Sequence, residues 1–217
     1  MASAISGLEP AALWDNFAAL SRIPRPSKQE EQVLAWLKEF ADTRSLEWQQ
    51  DEVGNIGVRR LGSGGGESAP TIVIQSHVDM VCEKNAETEH DFSRDPIRLL
   101  RDGDWLTADG TTLGADNGIG VATALALLEM AADARLPPLE CLFTVDEETG
   151  LTGAFALDGA LLQGRTLLNL DTEEWGAICI GCAGGGDSEL TLPVSREASP
   201  GDYLSFQLSV EGLMGGH

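Results

Sequence analysis

The chain has 217 residues, with 14 Lys and Arg against 35 Asp and Glu, giving a formal net charge of −21 at pH 7. That excess excludes sequence-independent binding to nucleic acid or anionic lipid, since both need a basic patch to displace counterions. Apolar residues (42%) and 25 glycines suffice for a folded core; no apolar run approaches the roughly 18 residues of a spanning helix and the N-terminus has no secretory pattern, so a soluble cytosolic protein is expected.

Residues 8–22 place Leu8, Ala12, Trp14, Phe17 and Leu20 near helical spacing. Residues 27–41 begin at Ser27 with Glu30 three positions on, a capping-box pattern ahead of Val33, Leu34, Trp36, Leu37 and Phe40. Two amphipathic helices therefore open the fold. A turn-rich, alternating stretch covers 48–60, and the glycine run at 62–68 lacks both the Lys-Ser/Thr and the spacing of a phosphate cradle, so it reads as a surface turn.

The β-branched run at 71–76 reads as a strand buried on both faces. Residues 80–104 are polar and loop-like, and the small and aliphatic residues of 118–132 predict a helix packed closely on a sheet, ended by Pro137 and Pro138. Strands are predicted at 139–145, 166–170 and 177–180, with a short helix at 152–157. The alternation indicates an α/β three-layer sandwich around a mostly parallel central sheet. Beyond Asp187 the texture changes: 188–195 and 203–210 alternate as half-buried strands with no helix between them. A domain of residues 1–186 followed by the first strands of a smaller α+β domain at 187–217 is the expected organisation.

The four cysteines are too few and too scattered for a disulfide framework. Cys179 and Cys182 form a lone CxxC in an apolar, Gly-flanked segment. Without a second pair for zinc, or a helix to open, they are expected to be packed thiols.

Four clusters fall just past the apolar strands or in the loop that opens a helix: S-H-V-D at 76–79, G-A-D-N-G at 114–118, V-D-E-E-T-G at 145–150 and N-L-D-T at 169–172. Loops at the carboxyl ends of strands in open α/β sheets converge on one crevice. Several carboxylates and one imidazole meeting there would repel unless protonated or neutralised by a divalent cation. With His and carboxylate oxygens as donors, zinc is the expected metal, with manganese or cobalt as alternatives. If two metals bind, one carboxylate must bridge them, and Asp116 is the candidate. His77 and Asp79 lie on the same side of an extended backbone, so Asp79 can reach the ring nitrogen that the metal does not use. Of the adjacent Glu147 and Glu148, one can bind metal while the other stays free as a base. Taken singly, each residue has a plainer reading: His77 a hydrogen-bonded structural histidine, Asp116 a helix N-cap, Asp146 a surface charge, Asp171 a turn residue.

In order and wording these clusters resemble the co-catalytic zinc exopeptidases of the M20 metallopeptidase family. The segments IQSHVDMVCEKN, DGTTLGADNGIGVATAL, FTVDEETGLTGA and LLNLDTEEWGAICIGCAGG are similar to those of its aminoacyl-histidine dipeptidases. The resemblance implies two zinc ions, one held by His77, Asp116 and Asp171 and the other by Asp116 and Glu148, with Asp79 orienting His77 and Glu147 as general base. It further implies hydrolysis of small dipeptides, Xaa-His such as beta-Ala-His, by a homodimer when full length. Family members are much longer and complete the second zinc with a histidine near their C-terminus, which no residue here matches; His217 instead matches a lid-domain histidine thought to help hold the substrate. The chain is therefore expected to be an N-terminal fragment, inactive alone. Two other readings stay open: an N-acyl amino acid deacylase on the same site, and a non-catalytic metal-binding fragment.

Overall fold

The computed structural model describes residues 4–181, 188–198, 201–210 and 212. The chain divides into two units, Met1–Ile178 and Cys179–His217. Among the described residues no helix is long and apolar enough to cross a membrane.

The first unit opens with helices α1 (Ala11–Leu20) and α2 (Glu31–Thr43). In α2 the apolar positions recur at helical spacing, so Val33, Leu37, Phe40 and Ala41 fall on one buried stripe. Strands β1 (Glu47–Gln50) and β2 (Ile56–Arg60) form an antiparallel hairpin. β3 (Ile72–His77) follows, and then an element absent from the sequence reading: β4 (Leu99–Asp102) and β5 (Trp105–Ala108) pair across Gly103 and Asp104 as a separate two-stranded ribbon. A Gly-Asp pair between two apolar-bearing runs is a hairpin signal, and Gly103 takes the positive φ, +59°, that such a turn needs.

Helix α3 (Ala115–Leu128), β6 (Leu139–Thr144), the short α4 (Thr152–Phe155), a 3₁₀ turn (Gly159–Leu161) and β7 (Thr166–Asn169) complete the unit. The sheet order is β1-β2-β6-β3-β7, with β3 parallel to both β6 and β7 and β2 antiparallel to its two neighbours. Four strands thus run one way and β2 the other, a mostly parallel α/β sheet as expected.

One face of the sheet carries Ile56, Val58, Ile74, Leu139, Cys141 and Phe143, packed against Leu20 of α1, Val33 and Leu37 of α2, and Val121, Ala124 and Leu125 of α3. Small residues along α3 let it lie close to the strands, and the burial is nearly complete across this layer. Opposite, Val73 and Leu142 are covered by Leu161, Leu157 and Leu162 from the α4 and 3₁₀ region. Of the two helical layers expected, the described residues build the first fully and the second only in short pieces.

The connections set the position of the site. From β3 the chain crosses through α3 to β6 on one side, then returns past β3 through α4 to β7 on the other. The strand order therefore reverses at β3, and the carboxyl ends of β6, β3 and β7 form the crevice that such a reversal opens.

The strand expected at 177–180 does not form, and Ile178 and Ile180 are exposed. In the second unit the strands expected at 188–195 and 203–210 are also absent: Leu190, Leu192, Val194, Tyr203, Leu204, Phe206, Leu208 and Val210 are all exposed. Alternation alone does not make a strand when no partner or covering layer buries its apolar face. Cys179 is likewise exposed and not packed, while Cys182, Asp187 and His217 lie outside the described residues.

Candidate metal centre

His77 is the last residue of β3, the central strand of the parallel trio, and is almost fully buried. Its Nε2 faces Asp116 Oδ1 at 2.9 Å, Asp171 Oδ1 at 3.5 Å and Glu147 Oε2 at 4.0 Å. Its Nδ1 lies 3.2 Å from Asp79 Oδ1. The extended backbone places residues 77 and 79 on one side, so the neighbouring carboxylate reaches the ring nitrogen turned away from the other three.

Asp79 is completely buried and its carboxylate is saturated. Besides the His77 contact, Oδ1 accepts from the Glu147 N–H at 3.1 Å, and Oδ2 accepts from the Ser27 hydroxyl at 2.8 Å and the Glu148 N–H at 3.2 Å. Burial alone would raise its pKa. The His77 ring and these donors outweigh burial and hold it down to about 2. Asp79 thus ties the β3 end to the turn after β6 and fixes the two glutamates beside the imidazole.

That turn is built by residues whose roles the sequence did not disclose. Asp146 has a positive φ of +49° and is buried, not the surface charge expected. Its carboxylate accepts from the Thr149 and Thr152 hydroxyls, and its N–H donates to Glu30 Oε1 at 3.0 Å. Glu30 Oε1 also accepts from the Lys28 N–H. The capping box expected from Ser27 and Glu30 is absent: α2 has no side-chain cap, and both residues face the strand-end loops instead. The S-x-x-E spacing is present, but long-range partners take the side chains that a helix start would have used: Ser27 donates to the Asp79 carboxylate and Glu30 accepts from the Asp146 N–H.

Asp116 sits at the irregular start of α3, with φ −79° and ψ 112°, and no side chain caps that helix. An extended residue at a helix start turns its carboxylate away from the helix N–H groups and toward His77. Asn117 donates from Nδ2 to Leu170 O at 2.7 Å and to Asp171 Oδ1, linking the α3 start to the segment after β7.

Electrostatics sharpen the picture. Burial lowers the His77 pKa, but Asp171, Asp79 and Asp116 together raise it to about 11, more than Asp79 is lowered because one imidazole serves three carboxylates. Burial, reinforced by neighbouring carboxylates and only partly offset by the charge on His77, pushes Glu147 and Glu148 up. Asp171 is held below its ordinary value despite burial, through its contacts with His77, Asp116 and Asn117. Ligand atoms of His77, Asp116 and Glu148 all lie within 4.8 Å of one another. Four carboxylates converging on one imidazole is a donor set that suits a divalent cation, with one nitrogen and several oxygens and no thiolate. Of the seven residues singled out in the sequence, six meet at this one edge of the sheet; His217 is outside the described residues.

No family model matches the chain. It is 47% identical over 217 residues to the cytosol non-specific dipeptidase of Escherichia coli (strain K12), an alignment covering 99% of this chain and 44% of that protein. Among solved structures it is similar to the aminoacylhistidine dipeptidase from Vibrio alginolyticus, with a TM-score of 0.77 and 45% identity over 80% of this chain and 35% of the other. A tripeptidase from Staphylococcus aureus shares the fold, with a TM-score of 0.62 and 24% identity over 74% of this chain and 43% of the other. The chain spans less than half the length of the curated relatives it matches.

Proposed function

We propose that this chain belongs to the M20 metallopeptidase family and carries the metal centre of a dipeptidase, with Xaa-His dipeptides such as beta-Ala-His as its substrates. The observation that supports this most directly is His77 Nε2 facing the oxygens of Asp116, Asp171 and Glu147 at 2.9, 3.5 and 4.0 Å, at the edge of the sheet where a ligand crevice belongs. The names of the relatives support the peptide substrate class and a place in the cytosol.

His77, Asp116 and Asp171 would hold one zinc and Asp116 and Glu148 a second; bound there, the metals would polarise the scissile carbonyl and lower the pKa of water. Glu147 is the general base: it stands at the open side of His77, and its raised pKa makes it a better proton acceptor than an ordinary glutamate. It takes a proton from the attacking water at a carboxylate oxygen as the C–O bond forms, and delivers that proton to the amine nitrogen as the C–N bond breaks. Asp79 keeps the His77 ring turned so that Nε2 points outward. Ser27, Glu30 and Asp146 hold the loops that carry these groups.

Assay of the full-length protein with beta-Ala-His, other dipeptides and N-acetyl amino acids tests the proposal. Dipeptide hydrolysis abolished by chelation and restored by zinc is the expected result. Turnover confined to N-acetyl amino acids would make the protein a deacylase.

A further inference from the structure

Arg25 is 2% exposed; its two terminal nitrogens carry all its hydrogen bonds, while its buried Nε has no partner among the described residues. Pro24 and Pro26 flank it and hold the segment extended, and the segment runs beside the residues after β3 through a Pro26–Met80 bridge. Its Nη1 donates to the carbonyls of Val78 and Asp79, both at 2.9 Å, and its Nη2 donates to the Gly114 carbonyl at 2.5 Å. The first two acceptors lie one and two residues beyond His77; the third lies two residues before Asp116. The Gly114 carbonyl also accepts from the Gly118 N–H at 3.1 Å, closing the turn that contains Asp116 and Asn117.

The glycines of G-A-D-N-G make room for this group. A Cβ at Gly114 would stand 2.4 Å from Arg25 Nη2, and one at Gly118 would stand 2.9 Å from it. Burial draws the guanidinium's pKa down to about 10, resisted by Asp79, so it stays cationic at neutral pH beneath the acidic centre.

We propose that Arg25 is a positioning residue for the metal centre: its fork clamps the backbone after His77 to the turn before Asp116 and so sets the spacing of the ligands on those two segments. The inference rests on the metal reading above. A planar fork bonds both segments at once from fixed directions, which a lysine ammonium on a flexible stem cannot reproduce, so charge without the fork should not suffice.

The test is zinc affinity of the full-length protein, measured by competition with a chromophoric chelator, together with the visible spectrum of the cobalt-loaded form. Arg25→Lys keeps the charge and loses the fork; Arg25→Met loses both, and if it does not fold the lysine variant decides. Asn16→Ala is the control, because it breaks the bond from Asn16 to Glu129, at the opposite end of α3 from Asp116, and so lowers stability without removing a contact to either ligand segment. Arg25→Lys is expected to weaken zinc binding by roughly 10- to 100-fold and shift the cobalt bands, while Asn16→Ala leaves both unchanged. Arg25→Lys within about twofold of wild type with the same spectrum, or an equal loss in Asn16→Ala at matched stability, overturns the proposal. Wild type that takes up no zinc overturns the metal reading, and this inference with it.

Discussion

Replacing Asp79 by Asn is the most informative single change, because it alters charge and donor pattern while keeping shape. Each Asp79 oxygen accepts one backbone N–H, from Glu147 or Glu148. Whichever way the amide is turned, its NH₂ faces one of those donors and leaves a buried N–H unbonded, a loss of about 1–3 kcal/mol. The pKa offers a second route to the magnitude. The gap between about 2 in the folded chain and the ordinary 3.8 converts to roughly 2.5 kcal/mol favouring the ionised, folded form. Because the folded pKa lies below the unfolded one, this stabilisation is fully present above about pH 5 and is lost as pH falls through 4 toward 2. Urea unfolding of wild type and Asp79→Asn with chelator present should therefore show a gap of about 2–3 kcal/mol at pH 7 that shrinks to about half by pH 3. A gap below about 1 kcal/mol at pH 7, or one of constant size across that range, would refute the reasoning.

His77, with its pKa raised to about 11, is protonated at neutral pH in the metal-free chain, so zinc must displace that proton. Loading at pH 7 should release about one proton and affinity should climb as pH rises toward 9; calorimetry in two buffers of different ionisation enthalpy reads this directly, and zero release contradicts it. Glu147→Gln should lower kcat for dipeptide hydrolysis by about 10²–10⁴ with zinc content unchanged, and activity retained at the wild-type level would remove Glu147 from the base role. Gly118→Ala sets a Cβ 2.9 Å from Arg25 Nη2 and 3.2 Å from Phe17 Cε2; stability should fall by about 1–3 kcal/mol and zinc binding should weaken, whereas a neutral result would mean that the cradle around Arg25 is looser than drawn.

The main sheet was legible because its strands are short apolar runs between strong punctuators, and periodicity reads such segments well. The hairpin at residues 99–108 was missed because polar and charged residues dilute its alternation, leaving Gly103-Asp104 as the only sharp signal. At 188–195 and 203–210 a clean alternation is not accompanied by strand pairing, since periodicity reports what a face could bury and not whether anything covers it. At the site, residue types and strand-end placement brought His77, Asp79, Asp116, Glu147, Glu148 and Asp171 together on paper. The supports were opaque for a different reason. Ser27, Glu30 and Asp146 satisfy local rules for caps and surface turns, and only their long-range partners show that they brace the centre. Arg25 gave no signal at all except the two prolines beside it.

The central claim is that these strand-end residues form one metal centre, and zinc content per chain, measured by elemental analysis beside an Asp116→Ala variant, tests it most directly. At least one equivalent in wild type, rising toward two with excess zinc and lost in the variant, is the result expected. A wild-type chain that is folded by circular dichroism and holds no zinc, or an Asp116→Ala chain that holds as much as wild type, would contradict it.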